Sequence, residues 1–160
     1  MTDDKNDKPA TRVTSLGRMS DDHFGVVNTP VYRASTILYP DMAALKANKQ
    51  PYTYGRRGTP TTRSFEEAIS ALEGAARTVT VPSGLNANAL AILSVCGAGD
   101  HLLMVDSAYE PTKTFCDHTL KRMGVETTYY APTADIAPLL SQNTAVVFCL
   151  SSGAISAVGA

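Results

Sequence analysis

From residue 61 onward, two kinds of apolar pattern alternate along the chain. One kind recurs about every three to four residues, as in Phe65, Ala68, Ile69 and Leu72, and indicates a helix with one buried face. The other kind is a short continuous apolar run, which indicates a strand covered on both faces. The patterns predict helices at 61–74, 83–97, 112–124 and 134–140, and strands at 77–82, 101–106, 125–130 and 144–150. Such strands joined by helices are typical of an α/β fold with a mostly parallel sheet.

The first part of the chain lacks this alternation. Residues 1–11 are polar and predict a frayed terminus. The segment Val26–Pro40 is rich in β-branched residues and interrupted by prolines, which disfavour helix. It predicts an extended arm, followed by a short helix at Met42–Asn48. We therefore expect an N-terminal arm over 1–48 and an α/β domain over 49–160.

The composition is that of a globular protein. The 160 residues are 44% hydrophobic and 18% charged, which is enough apolar material for the core of one domain. A formal net charge of −1 provides no field that would gather nucleic acid or a membrane surface. No apolar run approaches the ~20 residues that span a bilayer, and the polar start MTDDKNDKPATRVTS lacks the apolar region of a signal peptide. We expect a cytosolic protein with no nucleic-acid or membrane partner.

The spacing of cysteine and histidine residues predicts no metal site. Cys96, Cys116 and Cys149 are odd in number and include no C-x-x-C pair, which is typical of thiols in a reducing compartment. The three histidines lack metal-ligand spacing among themselves and with the cysteines.

A loop before the helix at 61–74 concentrates phenol and guanidinium groups. Its sequence YTYGRRGTP places Tyr54 and Arg56 close together. A planar, always-charged guanidinium beside a phenol is suited to hold a phosphate or a carboxylate. The alternative is a solvated turn, because most charged side chains of proteins lie at the surface.

The start of the helix at 83–97 offers a second set of anion-binding groups. The N–H groups of Gly84 and Leu85 belong to the first turn, where a helix has no acceptor of its own, and the helix dipole is positive there. The alternative is that Ser83 is an ordinary N-cap. The stretch matches neither the G-x-G-x-x-G fingerprint nor a Walker loop, which argues against nicotinamide dinucleotides and nucleoside triphosphates.

Tyr109 follows the strand predicted at 101–106, and ligands of open α/β sheets bind beyond the carboxyl ends of the strands. Its ring can stack on a flat heteroaromatic ligand, and the alternative is a tyrosine that packs a loop. Together, the phenol–guanidinium loop, the helix start and Tyr109 suit an aromatic cofactor that bears a phosphate. Pyridoxal 5'-phosphate (PLP) fits this description.

Three ordered stretches resemble the Cys/Met-metabolism family of PLP-dependent enzymes. They are YTYGRRGTPTTRSFEEAISALEG, VPSGLNANALAILSVCGAGDHLLMVDSAYEPTKTF and LKRMGVETTYY, and the similarity runs from about Leu16 to Phe148. The strings YGRRGT and AYEP are similar to the beta-lyase branch. The resemblance implies the PLP-dependent transferase fold type I, which is aspartate-aminotransferase-like, with part of a three-layer α/β/α large domain over 49–160. It also implies a homotetramer built from tight dimers.

The resemblance implies a role for each candidate residue. Tyr54 and Arg56 would reach across the dimer interface to the cofactor phosphate of the neighbouring subunit. Gly84 and Leu85 would donate backbone N–H groups to the phosphate of their own subunit's cofactor. Tyr109 would stack on the pyridine ring and is the candidate catalytic residue, because it would assist proton transfer. The extended arm would pack on the partner subunit.

The activity that the resemblance implies is that of a PLP-dependent carbon–sulfur lyase in methionine biosynthesis. Beta-elimination of cystathionine would give homocysteine, pyruvate and ammonia. Two alternatives stay open: a gamma-acting member of the same family, such as a cystathionine gamma-synthase, a cystathionine gamma-lyase or a methionine gamma-lyase, and a non-catalytic partner that assembles with full-length subunits.

The sequence departs from the family in two respects. None of its lysines follows a strand in the Ser-x-Thr-Lys setting that the family uses to attach the cofactor; they are Lys5, Lys8, Lys46, Lys49, Lys113 and Lys121. After the strand at 144–150, the family typically has an acidic residue and Ser-Pro, where this chain has Leu150 and Ser152. We expect a C-terminally truncated chain, inactive by itself, whose sheet ends in an unpaired edge.

Overall fold

The structure, a computed structural model, describes residues 8–151 and 154–158, with side chains over 8–149. Contacts between residues divide the chain into two compact units, Met1–Thr80 and Val81–Ala160. Among the described residues, the first unit contains helices and extended segments, and the second contains the sheet. The predicted boundary between arm and domain at residue 48 stays a prediction.

The second unit is built on a four-stranded sheet with the strand order β2-β1-β3-β4. The strands are β1 (His101–Val105), β2 (Glu126–Tyr130), β3 (Thr144–Ser151) and β4 (Ala154–Val158). Strand β1 pairs in parallel with both β2 and β3, whereas β4 is antiparallel to β3. The predicted mostly parallel sheet and the strands predicted at 101–106, 125–130 and 144–150 are confirmed.

Strand β1 lies at the centre of the hydrophobic core. All five of its residues are buried, as its continuous apolar sequence predicts. The core cluster also contains Ile92, Cys116, Leu120 and Phe148, from the helices and from β3. Burial of side chains of this size is the main favourable term for folding, at about 25 cal/mol per Å² of apolar surface.

His101 anchors the beginning of the sheet. It is buried, and its Nδ1 lies 2.8 Å from Thr144 Oγ1 on β3 while its Nε2 lies 2.9 Å from Thr128 Oγ1 on β2. The imidazole of the central strand therefore forms hydrogen bonds with side chains of both neighbouring strands, and neither ring nitrogen is left without a partner.

Two helices of the second unit begin beside each other. Helix α4 spans Gly84–Leu93, and α5 spans Glu110–Thr114 and continues into a π-helical segment at Phe115–Leu120. The predictions at 83–97 and 112–124 are thus confirmed as helices, while the π-helical segment has no signal in the apolar pattern. The helix predicted at 134–140 is wrong except for a 3₁₀ turn at Ala137–Leu139, because Pro138 cannot donate the backbone hydrogen bond that a longer helix needs.

The edge of the sheet lies at β4 and not at β3 as expected, because β4 pairs with β3. Residues Val147–Ser151 pair with Ala154–Val158 in an antiparallel register. A two-residue connection suffices for antiparallel strands, whereas a further parallel strand would need a long crossover. The short apolar run AISAV allows this pairing.

The strand predicted at 77–82 is wrong. None of its residues pairs with another strand in the described part of the chain, and Val79 is 68% exposed. Thr80 is held instead by a side chain, since its N–H and its hydroxyl group both donate to Glu66 Oε1 at 2.9 Å. A β-branched run becomes a strand only where a neighbouring strand can accept and donate its backbone hydrogen bonds.

Among the described residues, the first unit has three α-helices and two 3₁₀ turns: α1 (Pro9–Ser15), α2 (Met42–Ala47), α3 (Pro60–Glu73), and the turns Ser20–His23 and Gly55–Arg57. Helices α2 and α3 confirm the predictions at 42–48 and 61–74. Asp41 caps α2, and α3 begins with a capping box of Thr59 and Thr62 and ends at Gly74, whose φ is +65°.

Helix α1 corrects the expected frayed terminus over residues 1–11. Residues 1–7 lie outside the described residues, but a helix begins at Pro9, where proline is favoured because the first helical N–H needs no intrahelical acceptor. The Arg12 guanidinium donates to the carbonyl of Ala71 on α3 at 2.9 Å, which ties the two helices together.

The arm Val26–Pro40 contains no helix and leaves much apolar surface exposed. Val31 is 74% exposed and Leu38 is 84% exposed. A few polar contacts attach the arm to α3, among them the Tyr32 N–H donating to Thr61 Oγ1 at 2.7 Å. Within the described residues, the apolar side chains of this arm are therefore largely uncovered.

We predict that Leu103→Ala lowers the free energy of unfolding by about 2–5 kcal/mol, because it removes a fully buried side chain and leaves a cavity in the core. The control is Leu140→Ala, which truncates a leucine that is 49% exposed and should change stability by less than about 0.5 kcal/mol. Urea titration of both variants measures the difference, and equal effects would contradict the central position of β1.

Candidate functional site

The phenol–guanidinium loop lies in the first unit and is ordered by the arm. Tyr54 forms an isolated antiparallel bridge with Thr36, and residues Gly55–Arg57 form a 3₁₀ turn. The guanidinium carbon of Arg56 lies 5.2 Å from the centre of the Tyr54 ring, within the range of a cation–π contact. Arg56 is exposed and forms no ion pair with a described residue, so its charge is available to an anion.

A groove of about 600 Å³ in the first unit was not predicted from the sequence. Its lining includes Tyr52, Arg57, Arg63 and Arg77, but neither Tyr54 nor Arg56. Burial raises the pKa of Tyr52, and the nearby positive charge of Arg63 opposes this shift. Because Arg63 also pairs with Glu67 at 2.6 Å, part of the positive charge of the groove is neutralised within α3.

The start of α4 has both an N-cap at Ser83 and free backbone donors for an anion. Ser83 is an N-cap, since its hydroxyl accepts a hydrogen bond from the Asn86 N–H at 3.1 Å. The N–H groups of Gly84 and Leu85 nevertheless have no acceptor among the described residues. A helix start with two free donors and the positive end of the dipole is an anion-binding arrangement.

Tyr109 is placed beside this helix start. It immediately precedes α5, the residue is 62% exposed, and its carbonyl accepts a hydrogen bond from the Thr112 N–H at 2.8 Å. Leu85 at the start of α4 and Glu110 at the start of α5 line the same groove. Gly84, Leu85 and Tyr109 are therefore brought to the same end of the second unit.

A hydrogen bond between side chains holds the two helix starts together. Asn88 Nδ2 on α4 donates to Thr112 Oγ1 on α5 at 3.0 Å, and Thr112 is fully buried. Sequence reasoning missed this pair. Its signal is the second asparagine of α4, one turn after Gly84 on a mostly apolar helix, where a polar side chain needs a partner.

The five predicted site residues thus fall into two groups. Tyr54 and Arg56 lie in the first unit, and Gly84, Leu85 and Tyr109 lie in the second. The groups offer the donors that a phosphate needs, namely a guanidinium and two backbone N–H groups, and an exposed aromatic ring for a flat ligand. The residues present therefore fit a cofactor of the predicted kind. Their roles at a cofactor stay predictions.

The cysteines are single thiols. Cys96, Cys116 and Cys149 form no disulfide, and burial raises the pKa of the Cys116 thiol to about 12. Within residues 8–151 and 154–158, no group of three or more His, Cys, Asp or Glu side chains could hold a metal ion. In the same part of the chain, no helix is both long and apolar enough to cross a membrane.

The chain matches the family model of the Cys/Met metabolism PLP-dependent enzymes over residues 10–157. A Rhizobium johnstonii protein provisionally named cystathionine beta-lyase is 50% identical over 145 residues, which are 89% of this chain and 37% of that protein. Cystathionine beta-lyase of Escherichia coli is 39% identical over 164 residues, covering 98% of this chain and 40% of the relative. The chain thus spans about 40% of the length of these relatives.

Solved structures show the same fold. The crystal structure of cystathionine gamma-lyase from Lactobacillus plantarum, complexed with L-serine, superposes with a TM-score of 0.77 at 26% identity. The superposition covers 88% of this chain and 36% of the gamma-lyase. The architecture is therefore that of the PLP-dependent fold type I enzymes, as the sequence predicts.

We predict that Gly84→Pro weakens the binding of inorganic phosphate to this chain, whereas Gly84→Ala does not. Proline removes one free N–H, and it fits the first helical position because Ser83 is already extended, with φ −158° and ψ 160°. A Cβ at Gly84 would meet no atom within 4 Å, so alanine keeps the N–H without a clash.

The loss of one hydrogen bond to a charged group corresponds to about 1.5–3 kcal/mol, or roughly a 10- to 100-fold weaker affinity. Phosphate titration followed by the Leu85 amide resonance measures it. Equal affinities of the proline and alanine variants would contradict the use of this donor.

Proposed function

Since the chain belongs to the Cys/Met-metabolism family of PLP-dependent enzymes, we propose that it forms the N-terminal part of a carbon–sulfur lyase that converts cystathionine to homocysteine, pyruvate and ammonia. Its relatives named cystathionine beta-lyase, at 39% and 50% identity over most of the chain, support this reaction. The structural observation that carries the proposal is the pair of free N–H groups at Gly84 and Leu85 beside the exposed ring of Tyr109.

In this proposal, the second unit holds the cofactor of its own subunit. The N–H groups of Gly84 and Leu85 donate to the phosphate, and the Tyr109 ring lies against the pyridine ring. When bound, PLP supplies an electron sink that stabilises negative charge at the α-carbon of an amino-acid substrate. Tyr109 Oη is the candidate atom to hold or move a proton, and Asn88 and Thr112 keep the two helix starts in place.

The first unit serves a neighbouring subunit in this proposal. Tyr54 and Arg56 bind the cofactor phosphate of that subunit, and the arm Val26–Pro40 packs on it. Two observations support this role: Arg56 has no ion-pair partner among the described residues, and Val31 and Leu38 are 74% and 84% exposed. The assembly is a homo-oligomer, a dimer of dimers, and the three unpaired thiols favour a cytosolic location.

A gamma-acting enzyme is the second candidate, and the fold similarity to cystathionine gamma-lyase favours it. The two reactions differ in which carbon–sulfur bond of cystathionine breaks, so their products differ. Beta-elimination yields pyruvate, whereas gamma-elimination yields 2-oxobutyrate. The third candidate is a non-catalytic partner subunit, which would contribute Tyr54 and Arg56 to the cofactor sites of full-length subunits.

The reaction is tested in a chimera in which residues 10–157 replace the matching part of the Escherichia coli beta-lyase. We expect pyruvate and homocysteine from cystathionine, as from the unmodified Escherichia coli enzyme. Formation of 2-oxobutyrate would contradict beta-elimination and support the gamma-acting alternative.

In the same chimera, Arg56→Ala should weaken PLP binding about 10- to 100-fold, because a hydrogen-bonded charge is lost. The control is Arg122→Ala, which removes an arginine at an exposed helix end.

We further predict that this chain alone does not attach PLP covalently. Lys46 lies in α2, and Lys49 lies shortly after it. Lys113 and Lys121 lie on the helix that begins with α5. None of these four lysines follows a strand. Incubation with PLP, borohydride reduction at neutral pH and peptide mass spectrometry should find no pyridoxyl-lysine above the level of the denatured chain. A single lysine that is modified stoichiometrically would contradict this prediction.

A further inference from the structure

The arm and the phenol–guanidinium loop approach each other most closely at Gly55. The Gly55 N–H donates to the carbonyl of Ser35 at 2.7 Å, and the next pair along the two segments is the bridge between Thr36 and Tyr54. A Cβ added to Gly55 would collide with the carbonyl group of Ala34. The obstacle is backbone, which cannot rotate away as a flexible side chain could, so the position requires glycine.

This contact determines where the next residues lie. Tyr54 and Arg56 flank Gly55, and the Arg56 guanidinium rests over the Tyr54 ring at 5.2 Å. An exposed arginine loses much rotamer freedom when it is ordered, and a cation–π contact at an exposed site contributes only about 0.5–1 kcal/mol. The stacked arrangement therefore depends on a backbone that already holds ring and guanidinium at the right separation.

We propose that Gly55 and the arm segment 34–36 are positioning residues: the arm clamps the backbone of the loop and thereby holds Arg56 stacked on Tyr54, ready for an anion. The inference goes beyond the phosphate-binding role of Tyr54 and Arg56 but rests on it for its functional meaning. It assigns the arm a second task within its own chain, in addition to packing on a partner.

The first test is NMR spectroscopy of this chain without any cofactor. In the unmodified chain, the side-chain protons of Arg56 should show the ring-current shift of a group above a phenol. Tyr54→Leu removes the ring and gives the reference without that shift. Gly55→Ala should move the Arg56 resonances to the Tyr54→Leu values, while the resonances of the second unit stay unchanged.

The matched control is Gly97→Ala, where the nearest atom to an added Cβ is Asp100 Oδ2 at 3.7 Å, an ordinary contact. This variant should leave the Arg56 resonances unchanged. If Gly55→Ala keeps the Arg56 ring-current shift, the positioning role is wrong. A general loss of stability would shift resonances throughout the chain, so the local signature separates positioning from a merely structural effect.

A second measurement needs no variant and therefore holds even if Gly55→Ala does not fold. Amide hydrogen exchange of the unmodified chain should be at least about tenfold slower at Gly55, whose N–H is bonded to Ser35, than at Arg56, whose N–H has no acceptor among the described residues. Equal exchange would overturn the inference. Neither readout involves PLP, so loss of cofactor binding on Arg56→Ala tests the proposed function separately.

Discussion

Burial of β1 between two parallel neighbours is the constraint on which the second unit depends. Strands β2 and β3 pair with the backbone of His101–Val105 at its two edges, and helices pack on its side chains. Helix α5 begins soon after β1, where the chain turns back from the carboxyl end of the central strand. The exposed Tyr109 at this turn is a consequence of the topology. Helix α4 follows no strand, and the hydrogen bond from Asn88 to Thr112 holds its start beside α5.

The first unit has a different physical basis. Its described residues include hardly any buried apolar side chain, and its contacts are mostly polar: caps, threonine hydroxyls and the Arg12–Ala71 hydrogen bond. A segment of this kind gains little from the hydrophobic effect within its own chain. The exposed Val31 and Leu38 are then apolar surface that another polypeptide can cover, which agrees with the proposed assembly.

The sequence predicts those elements whose side chains alone decide their structure. Strand β1 follows from its continuous apolar run, and α3 follows from its periodicity, its Thr59 cap and its terminal glycine. The segment 77–82 is rich in β-branched residues but has no neighbouring strand among the described residues, so local preference could not decide its structure. Similarly, the free N–H groups of the site could be predicted from a helix start, whereas the contact of Gly55 with the arm depends on residues 20 positions away in the sequence, Ser35 to Gly55.

The His101 hydrogen bonds have a consequence for the chemistry of the sheet. The partners of the imidazole are hydroxyl groups, those of Thr144 and Thr128 and, at 3.3 Å from Nδ1, that of Ser141, and a hydroxyl can turn to donate or to accept. Either neutral tautomer therefore finds complementary partners without any movement of the backbone. Where a carboxylate would dictate one tautomer, these hydroxyl groups keep the link between the strands with the proton on either ring nitrogen.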